Sequence, residues 1–435
     1  MPASLRLGAL AALLTVGAVA PLAQPYATPS QETPAIVTDL ARRGAGGVVA
    51  ALPTLDSPFF ANPAHISTEG FSLNVLGLTA GVGGNVNESW QFYHDELGPA
   101  IEDGLDTLSD EELQALYDEA FRVGAEPKTA DVALLAPAVR MGVGPAAVGL
   151  GIYGQSTTRA LIRDGGAGIP AIDLYSQADL IVPAVVGADL SKTPFGLMVP
   201  FDLRVGARAT YLQRRVSAKN KTIDALDPDA EKLYVLQANT VRLALGAMAS
   251  NIVIPGLDAG IEISNLGGAL DYDFETAVDV SSDSGFLNNK DNLTAAELAE
   301  AAALEARFDE RRSDPIVRIG AAFRLPTALV PVVSKAAVGV DYTSVSTSSL
   351  GQGAGAGGAL DQSFQAGLRL GARATLSQFL DLQVGVSQGM PSAGIGINAR
   401  VLRLEYATYG VEDGRLLGQL PRRNHVVRLR LGWFK

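Results

Sequence analysis

The chain has 435 residues, no cysteine, 18% charged residues and a formal net charge of −12. Without cysteine it can form neither a disulfide framework nor a cysteine-based metal site. No segment concentrates Lys and Arg, which excludes nucleic-acid binding as the main activity. The three histidines have no metal-ligand spacing and no G-x-S-x-G motif occurs, so we predict a non-enzyme without metal or cofactor. A hydrolase with its catalytic residues on separate strands is the enzymatic alternative that spacing leaves open.

The first 23 residues have the order of a secretory signal peptide. Arg6 precedes an apolar run from Leu7 to about Ala20, and small residues follow. This run is shorter than the roughly 20 apolar residues that a membrane-spanning helix needs. We therefore predict export, with residues 1–23 as the signal peptide. No later apolar run is longer, so any membrane residence must come from strands.

Many later windows alternate apolar and polar residues over eight or more positions. In "FDLRVGARATY", Leu203 and Val205 lie on one face of a strand, and Arg204 and Arg208 lie on the other. Transmembrane β-strands need about 9–11 residues of such alternation, apolar toward lipid and polar toward the lumen. The windows predict strands near 70–83, 131–142, 146–156, 179–189, 199–213, 236–249, 258–267, 315–325, 335–344, 364–376, 379–388, 392–399, 401–409 and 425–434.

These windows predict an all-β fold, a transmembrane antiparallel β-barrel of about 14 strands over residues 69–435. The expected location is the outer membrane of a Gram-negative cell, with outer-membrane lipid around the barrel. A soluble all-β protein is the alternative. The connections alternate mostly between long and short, and an even strand number puts both termini on the periplasmic side. The gap "QGMPSA" is short where a long one is due.

Two long connections are predicted to contain helices. Ser109 with Glu112, and Thr294 with Glu297, have the spacing of helix capping boxes. Both helices are expected to lie over the mouth of the barrel. Their simplest role is to close a surface loop.

The inward strand faces are predicted to carry charges of both signs. The candidate luminal residues are Arg204, Arg208, Arg318, Arg369, Arg373, Arg403, Arg428, Arg430, Glu262, Asp341 and Glu405. One interpretation is a ladder of arginine–acid pairs that stiffens the wall, because unpaired charges are costly in a dry interior. The other is a site for the carboxylate or phosphate head of an amphipathic ligand, which arginine binds bidentately.

The last predicted strand lies in "NHVVRLRLGWFK". Val427 and Leu429 would face lipid, Arg428 and Arg430 the lumen, and Trp433 one membrane interface. A terminal strand that ends in aromatics resembles the signal read by the barrel-insertion machinery, although a lysine follows the final phenylalanine. That machinery is therefore an expected partner.

The region before the first strand resembles that of a known superfamily. The Gly46-Gly47 pair, the Ser57-Pro-Phe-Phe stretch and Asn62-Pro63-Ala64 are similar to the N-terminal region of FadL-type outer-membrane barrels. The superfamily includes long-chain fatty-acid and aromatic-hydrocarbon transporters, PorV-like secretion components and conjugal-transfer TraF-like barrels. Later segments such as "GLDAGIEISNLGGALDY" are similar to its repeated hairpins.

The resemblance implies a barrel in which residues 24–68 fold into the lumen as a hatch. Phe59, Phe60, Asn62, Pro63 and Ala64 would belong to this hatch or its hinge. In such transporters, apolar substrates are captured among the outer loops, pass the hatch and leave sideways through a gap in the wall. The simpler alternative is that these residues only begin the first strand and fill space.

Two functions follow from the resemblance. The first is passive uptake of a hydrophobic or amphipathic small molecule, with an apolar ligand beneath the outer loops. The second is a non-transporting, PorV-like or TraF-like barrel that binds a protein partner through the long loops 84–130 and 268–314. A general hydrophilic porin is less favoured, because a hatch would block an open channel.

Overall fold

A computed structural model of the chain describes residues 40–66, 70–124, 126–166, 168–222, 232–268, 270–279, 287–288, 293–309, 315–326, 332–344, 367–412 and 421–433. The predicted signal peptide and residues 24–39 and 67–68 of the predicted hatch lie outside the described residues.

Within the described residues, fourteen strands form a closed antiparallel barrel. Consecutive strands pair around the ring, except that β7 pairs with β10, and the ring closes where β16 pairs with β1. The strands are β1 Phe71–Gly83, β2 Lys128–Val143, β3 Ala146–Asp164, β4 Pro170–Asp189, β5 Asp202–Thr222, β6 Lys232–Ser250, β7 Leu257–Leu266, β8 Asp273–Asp279, β9 Leu287–Asn288, β10 Ile316–Arg324, β11 Val333–Thr343, β12 Leu368–Leu376, β13 Leu380–Ser387, β14 Met390–Ala399, β15 Leu402–Glu412 and β16 Pro421–Trp433. The short strands β8 and β9 only extend the sheet beside the start of β6.

The outward side chains form an apolar band. Leu150, Val241 and Leu429 lie on this face, and each is about half exposed. A band of this kind is what a transmembrane barrel presents to lipid. No helix within the described residues is long and apolar enough to cross a membrane.

Short connections lie at one end of the barrel, here called the turn end, and long connections at the other, the loop end. The predicted alternation of long and short connections is interrupted once, between β13 and β14. Gln388 and Gly389 form a two-residue turn at the loop end, and both have positive φ, as a type I′ hairpin turn requires. The short gap in "QGMPSA" is therefore a tight loop-end hairpin, and the predicted 14-strand barrel is confirmed.

The predicted strand limits were least accurate at the loop end, where β2 to β6 continue well past the lipid-facing band. In β5 the exposed Arg215 points outward, while Val216 and Ala218 point inward and are buried. The pattern inverts because the outside there is water and the inside is packed with apolar side chains. A search for apolar-out alternation therefore ends too early, and it also missed β8 and β9.

Helices lie in the lumen and over the loop end. They are α1 Leu40–Gly44, α2 Ser57–Phe60, α3 Val86–Phe92, α4 Gly98–Asp103, α5 Asp110–Val123 and α6 Ala295–Asp309, with single turns of other helix types at Pro63–His65, Tyr93–Leu97, Leu105–Thr107, Leu190–Lys192 and Pro194–Met198. The predicted capping interactions form at Ser109 with Glu112 and at Thr294 with Glu297. Helices α3 to α5 share an apolar core with Ile162 of β3.

Candidate functional site

Residues 40–66, here called the luminal segment, lie inside the barrel. Ser392 of β14 donates a hydrogen bond to the carbonyl of Gly44 at 3.1 Å. On β11, the carboxylate of Asp341 accepts hydrogen bonds from the amides of Val49 and Ala50 at 2.6 and 2.7 Å. The segment also contacts β5 and β6, so it crosses the lumen between opposite walls.

Inward-facing glycines on eight strands form the seat of the luminal segment. A Cβ atom at Gly260 would overlap the carbonyl of Ala50, and one at Gly371 would overlap the carbonyl of Ala45. We call this set the glycine belt: Gly187, Gly206, Gly246, Gly260, Gly339, Gly371, Gly385 and Gly394. Glycine lets a neighbouring chain approach the strand closely, so the belt seats both the backbone and several side chains of the segment against the wall.

Asn62 holds a buried turn of the luminal segment. Its side-chain nitrogen donates to the carbonyls of Ala50 and Ala247 at 2.9 and 3.1 Å, and its side-chain oxygen accepts from the amide of Ala64 at 3.0 Å. The main chain of Pro63 lies directly against Gly206 of β5. Asn62 therefore joins two parts of the segment to β6.

Phe59 and Phe60 pack against one side chain of the wall, Tyr153 of β3. The ring centroids lie 6.0 Å from Phe59 and 4.6 Å from Phe60. Tyr153 is fully buried, and Phe59 nearly so. All five predicted hatch residues thus lie in the lumen ahead of β1, but Tyr153 was not predictable because it occupies an ordinary inward position of its strand.

Glu262 of β7 is the centre of one charged group. Arg318 donates to Glu262 at 2.5 Å, and Arg208 lies 3.4 Å from the same carboxylate. Arg208 also donates to the carbonyl of Ala61. The group therefore joins three strands and the luminal segment.

A second charged group lies on β12, β13 and β15. Asp381 accepts from Arg403 at 2.9 Å and lies 3.5 Å from Arg373. Arg403 also lies 3.0 Å from Glu405. These pairs form the wall ladder of the first interpretation.

Asp56 of the luminal segment lies between two arginines of β16. Arg428 contacts its carboxylate at 3.0 Å and Arg430 at 2.9 Å, and all three residues are buried. Arg430 also lies 3.3 Å from Glu405. The sequence predicted the arginines but missed Asp56, because nothing in the pattern shows that a residue outside the strands reaches the wall.

The remaining predicted luminal charges are also engaged. Arg369 donates to the hydroxyl of Thr343, and Arg204 lies 3.7 Å from Asp189 at the turn end. Every arginine of the prediction therefore has a partner within the protein. A site for the head group of an amphipathic ligand stays a prediction.

The wall is irregular along a line of four strands, here called the crease. The strand ladders are interrupted at Val75–Leu76 of β1, Ala136–Pro137 of β2, Gly151–Ile152 of β3 and Val182–Pro183 of β4. Proline cannot donate to a ladder, and glycine weakens a strand. Tyr153, with Phe59 and Phe60 packed on it, lies on the inner side directly beside the crease.

Apolar side chains form a continuous cluster, here called the apolar column, from the loop end to the crease. It begins at Phe308 of α6, continues past Tyr175 and Leu212 on the inward faces of β4 and β5, and ends at Tyr153 and Phe59. Inward faces of a hydrophilic pore are polar. The inner wall at β3 to β6 therefore carries this apolar cluster together with the buried ion pair of Asp179 with Arg214, while β5, β7 and β10 to β16 carry the two charged groups and the arginines around Asp56.

Polar contacts fix helix α6 over the apolar column. Lys232 of β6 lies 2.6 Å from Glu297, and Lys219 of β5 lies 2.8 Å from Glu300. Glu297 also accepts hydrogen bonds from the amide and hydroxyl of Thr294. The contact with Lys232 and these two bonds lower the pKa of Glu297 from 4.5 to about 2.

We expect the docking of α6 to weaken at low pH. Because the pKa of Glu297 is lower when α6 is docked, its contribution is full above pH 4.5 and is lost as the pH falls toward about 2. The protection factors of the α6 amides against hydrogen exchange should therefore fall over this range. In Glu297→Gln they should already be reduced at pH 6, whereas the exposed Glu111→Gln should behave like the wild type; an unchanged E297Q profile would contradict the assignment.

The chain was compared with known proteins. No family model and no curated protein matches it. Among solved structures, the toluene transporter TbuX of Ralstonia pickettii is 11% identical, with a TM-score of 0.46, over 91% of this chain and 98% of TbuX. The P. putida toluene transporter TodX is 10% identical, with a TM-score of 0.46, over 91% and 100%. A Pseudomonas aeruginosa FadL homologue is 11% identical, with a TM-score of 0.39, over 91% and 98%.

Each of these three barrels matches about nine tenths of the chain, and the FadL homologue belongs to the family that the N-terminal motifs and hairpins resemble. The sequence identities are low, so the proposed function rests on the geometry of this barrel. Within the described residues, no cluster of histidine and acidic side chains could hold a metal ion.

Proposed function

We propose that this barrel mediates passive uptake of hydrophobic or amphipathic small molecules across a Gram-negative outer membrane. The apolar column carries the proposal, because it runs from the loop end to the crease, and the ion pair of β4 and β5 beside it, Asp179 with Arg214 at 2.7 Å, neutralises its own charges. The free energy of an apolar molecule falls when it leaves water for such a surface, by roughly 25 cal/mol for each Å² that is buried. The turn end faces the periplasm in this proposal, since barrels of this class have short periplasmic turns.

The proposed route begins beneath the loop helices. Phe308 of α6 contacts Tyr272 and Tyr175, with ring centroids 5.2 and 6.4 Å away. These rings occupy the space that an apolar ligand would take, so α6 would have to shift as the ligand enters. The polar contacts of α6 are surface pairs, which individually contribute little, and they would permit that movement.

The proposed exit is sideways through the crease. The luminal segment crosses the lumen and contacts glycines on eight strands, so a molecule that left along the axis would have to displace it. The crease lacks part of its ladder, and its inner side is covered by Tyr153, Phe59 and Phe60. Movement of these rings would connect the apolar column with the surrounding lipid.

A partner-binding barrel is the second candidate. The luminal segment is tied to both walls by hydrogen bonds and ion pairs, which suits a permanently closed barrel. Helix α5 also presents the exposed acidic residues Asp110, Glu111 and Glu112 at the loop end. A basic protein surface would complement this face, as expected for the PorV-like or TraF-like alternative.

Phe308→Arg is expected to abolish uptake. Cells that produce the wild-type barrel should take up the hydrophobic probe N-phenyl-1-naphthylamine several-fold faster than cells with empty vector. The arginine would place a charge in the apolar column and reduce the rate to the vector level. In the matched control Ala303→Arg, the arginine lies on the exposed face of the same helix, and uptake should stay unchanged.

Heat-modifiable gel mobility should show that each variant forms a barrel. Uptake at the vector level by a correctly inserted wild-type barrel would overturn the transport proposal. A stoichiometric protein recovered with that barrel, and lost when the acidic residues of α5 are neutralised, would instead support the second candidate.

A further inference from the structure

Large apolar side chains are exposed at the tips of five connections at the turn end. Val253 is 93% exposed and Met198 is 80% exposed. Four others share this position at the end of the barrel: Leu325, Val332, Phe379 and Val401. Turns in water normally carry Gly, Pro, Asn, Asp or Ser at such positions. The apolar tips therefore need an explanation other than turn formation.

Val253 also departs from ordinary backbone preference. Its φ is +62°, a left-handed conformation that is a genuine outlier for a β-branched residue. Asparagine or glycine would adopt this conformation at lower cost. An exposed valine at a strained tip indicates that its apolar side chain is needed there.

The tips lie around the ring and not on one side of it. Met198 lies between β4 and β5, Val253 between β6 and β7, Phe379 between β12 and β13, and Val401 between β14 and β15. A docked protein would cover one sector of the rim. A lipid leaflet surrounds the whole circumference, as these tips do.

Strand length gives a second, independent reason. β12, β13 and β14 have 9, 8 and 10 residues. A tilted transmembrane strand needs about 9–11 residues to cross the hydrocarbon core, so these strands have none left to lift their turns clear of the membrane. Phe379 and Val401 directly precede strands with the exposed, lipid-facing Leu382 and Leu404, so the tips continue the apolar band.

We propose that the turn end is a lipid-binding surface whose apolar tips insert into the interface of the periplasmic phospholipid leaflet. Exposed apolar patches are uncommon on surfaces that meet only water, and here the neighbouring leaflet covers them. Aromatic side chains favour this interface, which suits Phe379 and Trp433. The surface would fix the depth of the barrel in the membrane. This role does not depend on whether the barrel transports a ligand.

Tryptophan quenching by brominated lipids tests this surface. The chain has only two tryptophans, Trp90 in a loop helix and Trp433 at the end of β16. In a background with both changed to phenylalanine, Val253→Trp and Phe379→Trp each place one reporter at a tip. The purified full-length variants would be inserted into phosphatidylcholine vesicles brominated either near the head group (carbons 6,7) or deeper (carbons 11,12).

The tip reporters should be quenched at least two-fold, and more by the shallow bromines than by the deep ones. Val384→Trp in the middle of β13 is the lipid-facing control and should respond to the deep bromines. Native Trp90, read in Trp433→Phe, is the water-facing control. The proposal would be overturned if the tip tryptophans emitted at the same wavelength as Trp90 and were quenched as little as Trp90. If a tip variant fails to insert, native Trp433 in Trp90→Phe reports the depth of the turn end instead. Absence of quenching of Trp433 would then also overturn the proposal.

Discussion

Gly260→Leu is expected to convert a barrel with little ion conductance into a conducting one. A side chain at this position would overlap the carbonyl of Ala50, so the luminal segment could no longer rest against β7. Overpacking of this kind costs about 1–3 kcal/mol, and the cost falls on the segment because the strand is held by ladders on both sides. Single-channel recording in planar bilayers should detect the opened lumen.

Two variants make this measurement specific. Gly371→Leu would overlap the carbonyl of Ala45 and should have the same effect at another point of the glycine belt. Gly154→Leu is the control, because the space around this glycine on β3 is open. If both belt variants insert correctly and stay as silent as Gly154→Leu, the belt does not determine whether the lumen is closed.

The barrel was predictable because lipid imposes a simple rule on the sequence. Wherever a strand lies between lipid and lumen, its residues alternate, as Leu203 and Val205 do against Arg204 and Arg208 in β5. The rule ends where the surroundings change. At Arg215 and Val216 the outside is water and the inside is apolar, so the alternation inverts although the strand continues. The alternation of the membrane-spanning parts therefore predicted the number of strands but not their lengths.

The candidate site was predictable only in part. The luminal arginines were found because charge on an inward face is unusual and must be satisfied. Their partners Asp56 and the carbonyl of Ala61 were missed, because contacts between distant parts of a chain leave no local pattern. The belt glycines were not predicted as contacts, because their neighbours are main-chain and side-chain atoms of the luminal segment, which is distant from them in the chain.

Asp56→Leu is expected to release the luminal segment and destabilise the barrel. Arg428 and Arg430 would lose the carboxylate that both contact, and the buried group around them would have one negative charge fewer. Breaking a buried ion pair from one side typically costs roughly 3–5 kcal/mol. Chemical unfolding in vesicles should report this loss, and protease cleavage within residues 40–66 should become faster.

The matched control removes the arginines together with the acid. In Asp56→Leu/Arg428→Met/Arg430→Met the remaining acids Asp381 and Glu405 still face Arg373 and Arg403, so the two acids and two arginines that remain are balanced. Replacing a complete buried ionic group by apolar residues is often neutral, and stability should largely return. Protection of the luminal segment should return less completely, because Leu cannot replace the directional hydrogen bonds that Asp56 makes across the lumen. Equal damage in the single and triple variants would mean that Asp56 acts through its shape and not through the two arginines.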